Sequence, residues 1–282
     1  MAEDVITVPP GIHAGITFDD YCHIEALNHS TLKLWDKTPA HARYAMTHPQ
    51  ETTTSLRMGD ACHVAVLEPK RFKKEYARSP KFDMRTNKGK AAAAAWASEY
   101  PEYAALLPTE YDAACGMRDS VWAHPLASEM LKGKGQNELT VIWVDADSGL
   151  LCKGRIDRLT SYMGWTIVLD LKTALDASID QFARACVKYG YHSQAAFYLD
   201  GLNALAAHER RFIYLVVENQ PPYLVRLLEL DDSAIAEGRA RYRAAVQTYK
   251  VSMDSGEYPA YPVGIEGFDL PSWGYQFTNP SR

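Results

Sequence analysis

Clustered cysteine is missing from this chain of 282 residues. Its five cysteines, Cys22, Cys62, Cys115, Cys152 and Cys186, stand singly, with no C-x-x-C pair. That pattern argues against a structural zinc site or an iron–sulfur cluster, both of which need grouped thiolates. An odd, dispersed count suits a reducing cytoplasm, where cysteine behaves as a small buried apolar residue. No apolar run approaches 18 residues, so no membrane span is expected. The first residues, MAEDVITVPPG, lack the basic and apolar regions of a secretory leader. Internal repeats and low-complexity linkers are absent as well.

A 47% hydrophobic content is ample for a packed core. The net charge of −5 counts mildly against a nucleic-acid partner, but its distribution is uneven. From Lys70 to Lys90 nine basic residues (Lys70, Arg71, Lys73, Lys74, Arg78, Lys81, Arg85, Lys88, Lys90) face only Glu75 and Asp83. Such a stretch is either an ordinary solvated surface or a phosphate-neutralising one, because local potential decides contact.

The first half reads as helical. Asn28 or Ser30 can cap a helix through Leu32, Leu34 and Trp35 that stops before Pro39. Thr54 or Ser55 can open a second, carrying Met58, Ala61, Cys62, Val66 and Leu67 and ended by Pro69. Helices at about 88–98 and 109–123 follow, the latter closed by Pro125. At Leu139 the period changes to that of strands: 139–144, 151–159 and 165–172, with the turn DADSG after the first. A helix over 191–205, strands over 212–217 and 223–230, and a long helix over 231–250 complete the chain. The expected fold class is α/β: a central mixed sheet flanked by helices, in the order α-βββ-α-ββ, with a helical N-terminal part. One domain is expected, with a helical part over 1–58, a core over 59–230 carrying a helical insertion at about 70–125, and a terminal helix and tail over 231–282.

Alternation along strands places Lys153, Arg155 and Asp157 on one face of the second strand, and Val168, Asp170 and Lys172 on one face of the third. Paired as a hairpin, these strands let Asp157 and Asp170 converge, with Lys172 two residues on. Two carboxylates hold a hard divalent cation, and an ammonium orients or helps deprotonate a water aimed at phosphorus. The carbonyl of Leu171 offers a further oxygen. A D-x-K tripeptide alone is usually a surface ion pair; G-R-I-D followed after thirteen residues by D-L-K on strand-like segments is far less common by chance. Glu138, just before the first strand, is within reach of the same cleft. Glu68 is read as a cap or salt-bridge partner.

Four matches resemble the PD-(D/E)xK nuclease superfamily, in its RecB-like and RecE-like branch. Gly59–Pro69 (GDACHVAVLEP) resembles the family's G-x-x-x-H-x-x-x-L-E helix, Asp157 its first acidic ligand, and Asp170 with Lys172 its D-x-K. Tyr191–Tyr198 (YHSQAAFY) resembles the Q-x-x-x-Y helix, giving Gln194 and Tyr198. The resemblance implies a restriction-endonuclease-like core. It implies metal ligation by His63, Asp157, Asp170 and the Leu171 carbonyl, with catalysis by Lys172, Asp170, Asp157, Gln194 and Tyr198. It further implies Mg2+, with Mn2+ also tolerated because of the histidine, and two ions per site. The segment ALNHSTLKLWDKTPAH and the Pro/Trp-rich ending resemble RecE-type phage and prophage exonucleases. These imply a cytoplasmic enzyme digesting linear double-stranded DNA from the 5′ end, in a ring-shaped homo-oligomer that hands 3′ strands to a single-strand annealing protein. DNA contacts are expected from Ser30, Lys33, Lys70, Arg71, Lys73, Lys74 and Arg155, the first two at a terminal 5′-phosphate. The alternatives are a single-strand or structure-specific nuclease of the same branch, an inactive DNA-binding member of the fold, or a metal-dependent hydrolase of small phosphate esters, which would have no need of the basic stretch at 70–90.

Overall fold

The computed structural model describes residues 6–48 and 54–271. In chain order, β1 (Gly11–His13) is followed by α1 (Phe18–His23), α2 (His29–Leu32), a 3-10 turn (Lys33–Asp36) and α3 (Pro39–Thr47). Next come α4 (Thr54–Leu67), α5 (Pro69–Glu75), β2 (Tyr76–Arg78), α6 (Asn87–Glu99), β3 (Ala104–Leu106), α7 (Pro108–Ala123) and α8 (Pro125–Lys132). The second half holds β4 (Gly135–Val144), β5 (Leu151–Tyr162), β6 (Trp165–Ala174), α9 (Ile179–Tyr189) and α10 (Tyr191–Leu205). It ends with β7 (Arg210–Glu218), β8 (Val225–Glu229) and α11 (Asp232–Ser255).

Six strands form one sheet in the order β1-β4-β5-β6-β7-β8, and β2 pairs with β3 separately. All neighbours in the large sheet are antiparallel except β6 and β7, which are parallel. The mixed sheet is thus as expected, and the fold is restriction-endonuclease-like. Strand alternation divides its two faces cleanly. Val168, Phe212, Tyr214 and Val216 enter a core layer with Ala195, Ala196, Phe197 and Leu202 of α10 and Tyr242, Ala245 and Val246 of α11. Their neighbours Ile167, Leu169, Leu171, Ile213, Leu215 and Val217 enter a second layer with Cys62 and Val66 of α4, Met117 and Val121 of α7, and Met130 of α8.

Asn28 caps α2 as expected, its Oδ1 accepting from the Thr31 N–H at 2.7 Å. Pro69 and Pro125 do more than end a helix: each is the first residue of the next, where the missing N–H costs nothing and the fixed φ is already helical. The first long strand starts at Gly135, four residues before the β-branched run. The elements α1, α3, α5, α8, α9, β1, β2 and β3 go beyond the expected set. The side chains of residues 54 and 55, and residues 272–282 of the Pro/Trp-rich tail, lie outside the described residues. Among the described residues, no helix is long and apolar enough to cross a membrane.

Candidate active site

The ladder between β5 and β6 runs from Tyr162–Trp165 to Arg158–Leu169 and ends there. Beyond that point β5 stays with β4 and β6 stays with β7, so the sheet forks. Asp157 and Asp170 are the next residues on either prong. The side-chain alternation also slips here: Ile156 and Leu159, three apart, both pack on the layer that α10 covers. The matching step on β4 is Glu138, which has a positive φ of 54° between Asn137, paired with Arg158, and Leu139, paired with Ile156. Local irregularities of this kind re-aim side chains, here three carboxylates at one end of the fork.

Hydrogen bonds released by the fork are used within the site. The Leu171 N–H donates to Asp157 Oδ2 at 2.7 Å. The Leu171 carbonyl accepts from His63 Nε2 of α4 at 2.7 Å. A carbonyl only accepts, so Nε2 carries the proton, and in the neutral ring Nδ1 keeps its lone pair. Nδ1 lies 3.5 Å from Asp157 Oδ2. One donor atom from each of His63, Glu138 and Asp157 falls within 4.8 Å of the other two. Arg155 holds Glu138 in place, its Nε donating to Glu138 Oε2 at 2.7 Å and its guanidinium also to the Ile16 carbonyl at 3.0 Å.

Asp170 is 2% exposed. Lys172 Nζ stands 2.5 Å from its Oδ2 as an ion pair. Lys172 Nζ also donates to Gln194 Oε1 at 3.1 Å, and Gln194 Nε2 donates to the Tyr198 hydroxyl at 3.3 Å. The Tyr191 ring centroid is 4.9 Å from the ammonium. Gln194 and Tyr198 therefore orient the lysine through one turn of α10.

Burial pushes the Asp157 carboxyl up to about 6; the Asp170 charge adds to this and His63 opposes it. Burial also works against the Lys172 charge, but Asp170 and Asp157 outweigh it and hold the ammonium above the usual lysine range. A carboxylate that resists ionisation, the Glu138 carboxylate and an imidazole lone pair face one place, with the buried Asp170 carboxylate on the neighbouring prong of the fork. Oxygen donors with a single imidazole suit a hard to borderline divalent cation, so these residues fit the one their pattern implies.

His63, Asp157, Asp170, Leu171, Lys172, Gln194 and Tyr198 are thus brought together. Lys33, on the 3-10 turn, is accessible at its surface, while partial burial and the charges of Arg241 and Lys172 depress its pKa and Asp36 opposes them. Ser30 is exposed on α2. Lys70, Lys73 and Lys74 are exposed on α5. The two arginines expected to reach DNA are already occupied within the chain: Arg155 as described, and Arg71 between Glu68 at 2.7 Å and Glu75 at 2.6 Å. Glu68 is accordingly a salt-bridge partner. Glu138 is the residue whose part sequence reasoning understated. Its only signal was that G-Q-N-E continues the first strand toward its N-terminus, which sets Glu138 across from Asp157.

The fold has solved relatives. A crystal structure from Eubacterium rectale, described as a "Putative exonuclease", superposes with a TM-score of 0.58 at 14% identity, covering 94% of this chain and 99% of that one. Two further overlaps, with SSO0001 (16% identity, 54% and 70% covered, TM-score 0.26) and with protein VC1899 from Vibrio cholerae (10%, 84% and 60%, 0.24), are too loose to carry an argument. No curated protein sequence matches significantly. Residues 28–269, which take in the whole fork and its lysine, match the family described as PDDEXK-like domain of unknown function (DUF3799), and the chain belongs to it.

Proposed function

We propose that this protein is a divalent-metal-dependent exodeoxyribonuclease that hydrolyses linear double-stranded DNA, in the 5′ to 3′ direction, and leaves 3′ single strands for recombination. The observation that carries the reading is the convergence of His63, Asp157, Asp170, the Leu171 carbonyl and Lys172 at the fork between β5 and β6. Membership of a PDDEXK-like family supports nuclease chemistry, and the exonuclease description of the E. rectale protein supports the finer reading. Magnesium, with manganese as a substitute, is the proposed cation, held by His63, Asp157, Asp170 and Leu171 with Glu138 alongside, two ions to a site.

When bound, the cation supplies Lewis-acid activation of the phosphodiester and of water. Asp157 and Asp170 hold it, and His63 is set by the carbonyl it bonds. Lys172, kept charged and aimed by Gln194, positions the attacking water and meets the charge that grows on the phosphate oxygens. No member of this set is missing, which disfavours an inactive DNA-binding role. Ser30 and Lys33 are proposed to receive a terminal 5′-phosphate. A ring of subunits around the duplex, and transfer of the product strand to an annealing protein, belong to the same proposal, as does a cytoplasmic location.

The test is digestion of duplexes labelled at either end, with and without 5′-phosphate, in magnesium or manganese. Label is expected to leave the 5′ end first, with closed circles untouched. Equal degradation of circles would sink the exonuclease reading. Lys172→Ala and Asp170→Ala are each expected to cost at least about a hundredfold in rate, since both remove groups that act on the reacting water; wild-type rates in either would sink the site.

A further inference from the structure

One part of the molecule stands away from the core and has no role in the site. Between β2 and β3 the chain leaves the body for residues 79–103, and α6, thirteen residues and about 20 Å long, buries none of its side chains. The foot of this arm is firm. Phe72 of α5 and Leu106 of β3 are fully buried against Ala61, Val64 and Ala65 of α4 and Ala114 of α7. The Ser79 N–H and hydroxyl both donate to the Leu106 carbonyl, at 2.8 and 3.0 Å. Arg78 grips Asp112 of α7 through two bonds, at 3.0 and 2.9 Å. Its far turn is equally tight: a Cβ on Gly89 would stand 2.0 Å from the Asp83 carbonyl oxygen. The three α4 residues at the foot surround His63 in sequence, so the arm is rooted on the helix that brings the histidine to the fork.

Charge along this path divides by residue type. The acids nearest the lysines are taken by arginines, Glu68 and Glu75 by Arg71, Asp83 by Arg85 and Asp112 by Arg78, while Glu99 and Glu102 stand exposed at and just beyond the opposite end of α6 from Lys88 and Lys90. The lysines are left over. Lys70, Lys73, Lys74, Lys81, Lys88 and Lys90 are exposed and, among the described residues, have no carboxylate partner within 4 Å. Six ammonium groups without a close ion-pair partner run from the foot of the active-site helix out to the far turn of a projection whose helix buries no side chain. Flexible point charges of this kind suit a uniform polyanion better than a defined ligand, which bidentate arginines would read.

We propose that this arm is a second, non-catalytic contact for the phosphate backbone of duplex DNA, with Lys81, Lys88 and Lys90 at its outer end. The inference rests on the nuclease reading for its ligand and extends the footprint beyond the site. It is tested by fluorescence-anisotropy binding of a 40-base-pair duplex in EDTA, where cleavage cannot occur, across a series of KCl concentrations. The triple variant Lys81→Glu/Lys88→Glu/Lys90→Glu is compared with Lys132→Glu/Lys134→Glu/Lys250→Glu, which changes net charge equally elsewhere. Loss of three phosphate contacts is expected to reduce the slope of log K against log[KCl] by about 2 to 3, with affinity down at least tenfold; the control keeps the wild-type slope. The outer lysines are exposed, so the arm variant should melt with the wild type. An unchanged slope in the arm variant, or the same loss in the control, overturns the proposal. Metal-dependent cleavage with an unchanged slope removes the arm alone, whereas an arm-dependent slope with no cleavage in either metal removes the nuclease reading alone.

Discussion

Asp157 sits where three influences meet: burial, the Asp170 carboxylate and the His63 ring. With its carboxyl pushed up to about 6 in the folded, metal-free protein, the neutral acid is favoured over its unfolded value. Its contribution to stability is therefore full at acid pH and lost as pH rises through about 6. Between about pH 4 and pH 7 the metal-free wild type should lose on the order of 2 kcal/mol relative to Asp157→Asn, as read by urea unfolding in EDTA. Cation binding runs the other way, because a proton and a metal compete for the same oxygen. Calorimetric Mn2+ affinity should fall roughly tenfold per pH unit below about 6, and an affinity flat from pH 5 upward would contradict the assignment. Asp157, Asp170 and Lys172 were legible from spacing and residue type on adjacent strands, whereas His63, a lone histidine on a helix, was legible only through the resemblance of Gly59–Pro69 to the family's helix. Glu138 was less so, since its direction depends on a slip in alternation that no local pattern records. Nor does composition reveal that Arg71 and Arg155 are already held by carboxylates.

At the scale of elements, the strands β4 to β8 and the helices α4, α7, α10 and α11 were readable because each buries a stripe or face, and α6, which buries no side chain, through its alanine run. The missed helices are short or bury little; among them α1 hides only Tyr21, α3 only Ala42, and α9 only Phe182 and Cys186. In α1 and α3 too few core positions recur for a period to emerge, whereas α9 does carry one, with Ile179, Phe182, Ala183, Cys186 and Val187 at helical spacing. Close packing between α10 and α11 was equally invisible. Gly238 lets the two helices touch; a Cβ there would lie 2.2 Å from the His192 carbonyl oxygen, a backbone atom that no rotamer change can move. Gly238→Ala is expected to destabilise by about 2–3 kcal/mol, the cost of forcing packed elements apart. Because Ser193 and Gln194 follow His192 directly, the same change should slow cleavage beyond what the folded fraction explains. Urea unfolding and single-turnover rates on one preparation separate the two effects, and wild-type stability would show that α11 yields freely.

For the molecule as a whole, net charge conceals a basic arm, and apolar content conceals exposed side chains on and beside α9. Leu175, Ile179 and Val187 are each more than 60% exposed. Apolar surface of this kind is commonly covered by another protein, and the proposed ring offers a second copy to cover it. Sedimentation velocity should give a multiple of the 31.6 kDa chain mass, and Ile179→Glu/Val187→Glu should reduce that mass toward one chain. A multimer unchanged by the pair would move the contact elsewhere.

The fork leaves one peptide group with an unusual position. Leu171 gives its N–H to Asp157 and its carbonyl to His63, so a single backbone unit joins two of the side chains proposed to hold the cation. Its side chain, meanwhile, is buried in the layer beneath α4 and cannot follow either of them. Any change of charge at the site must register in the polarisation of that peptide. The Leu171 amide is thus a built-in gauge of the cleft, readable by its resonance without substrate, product or label.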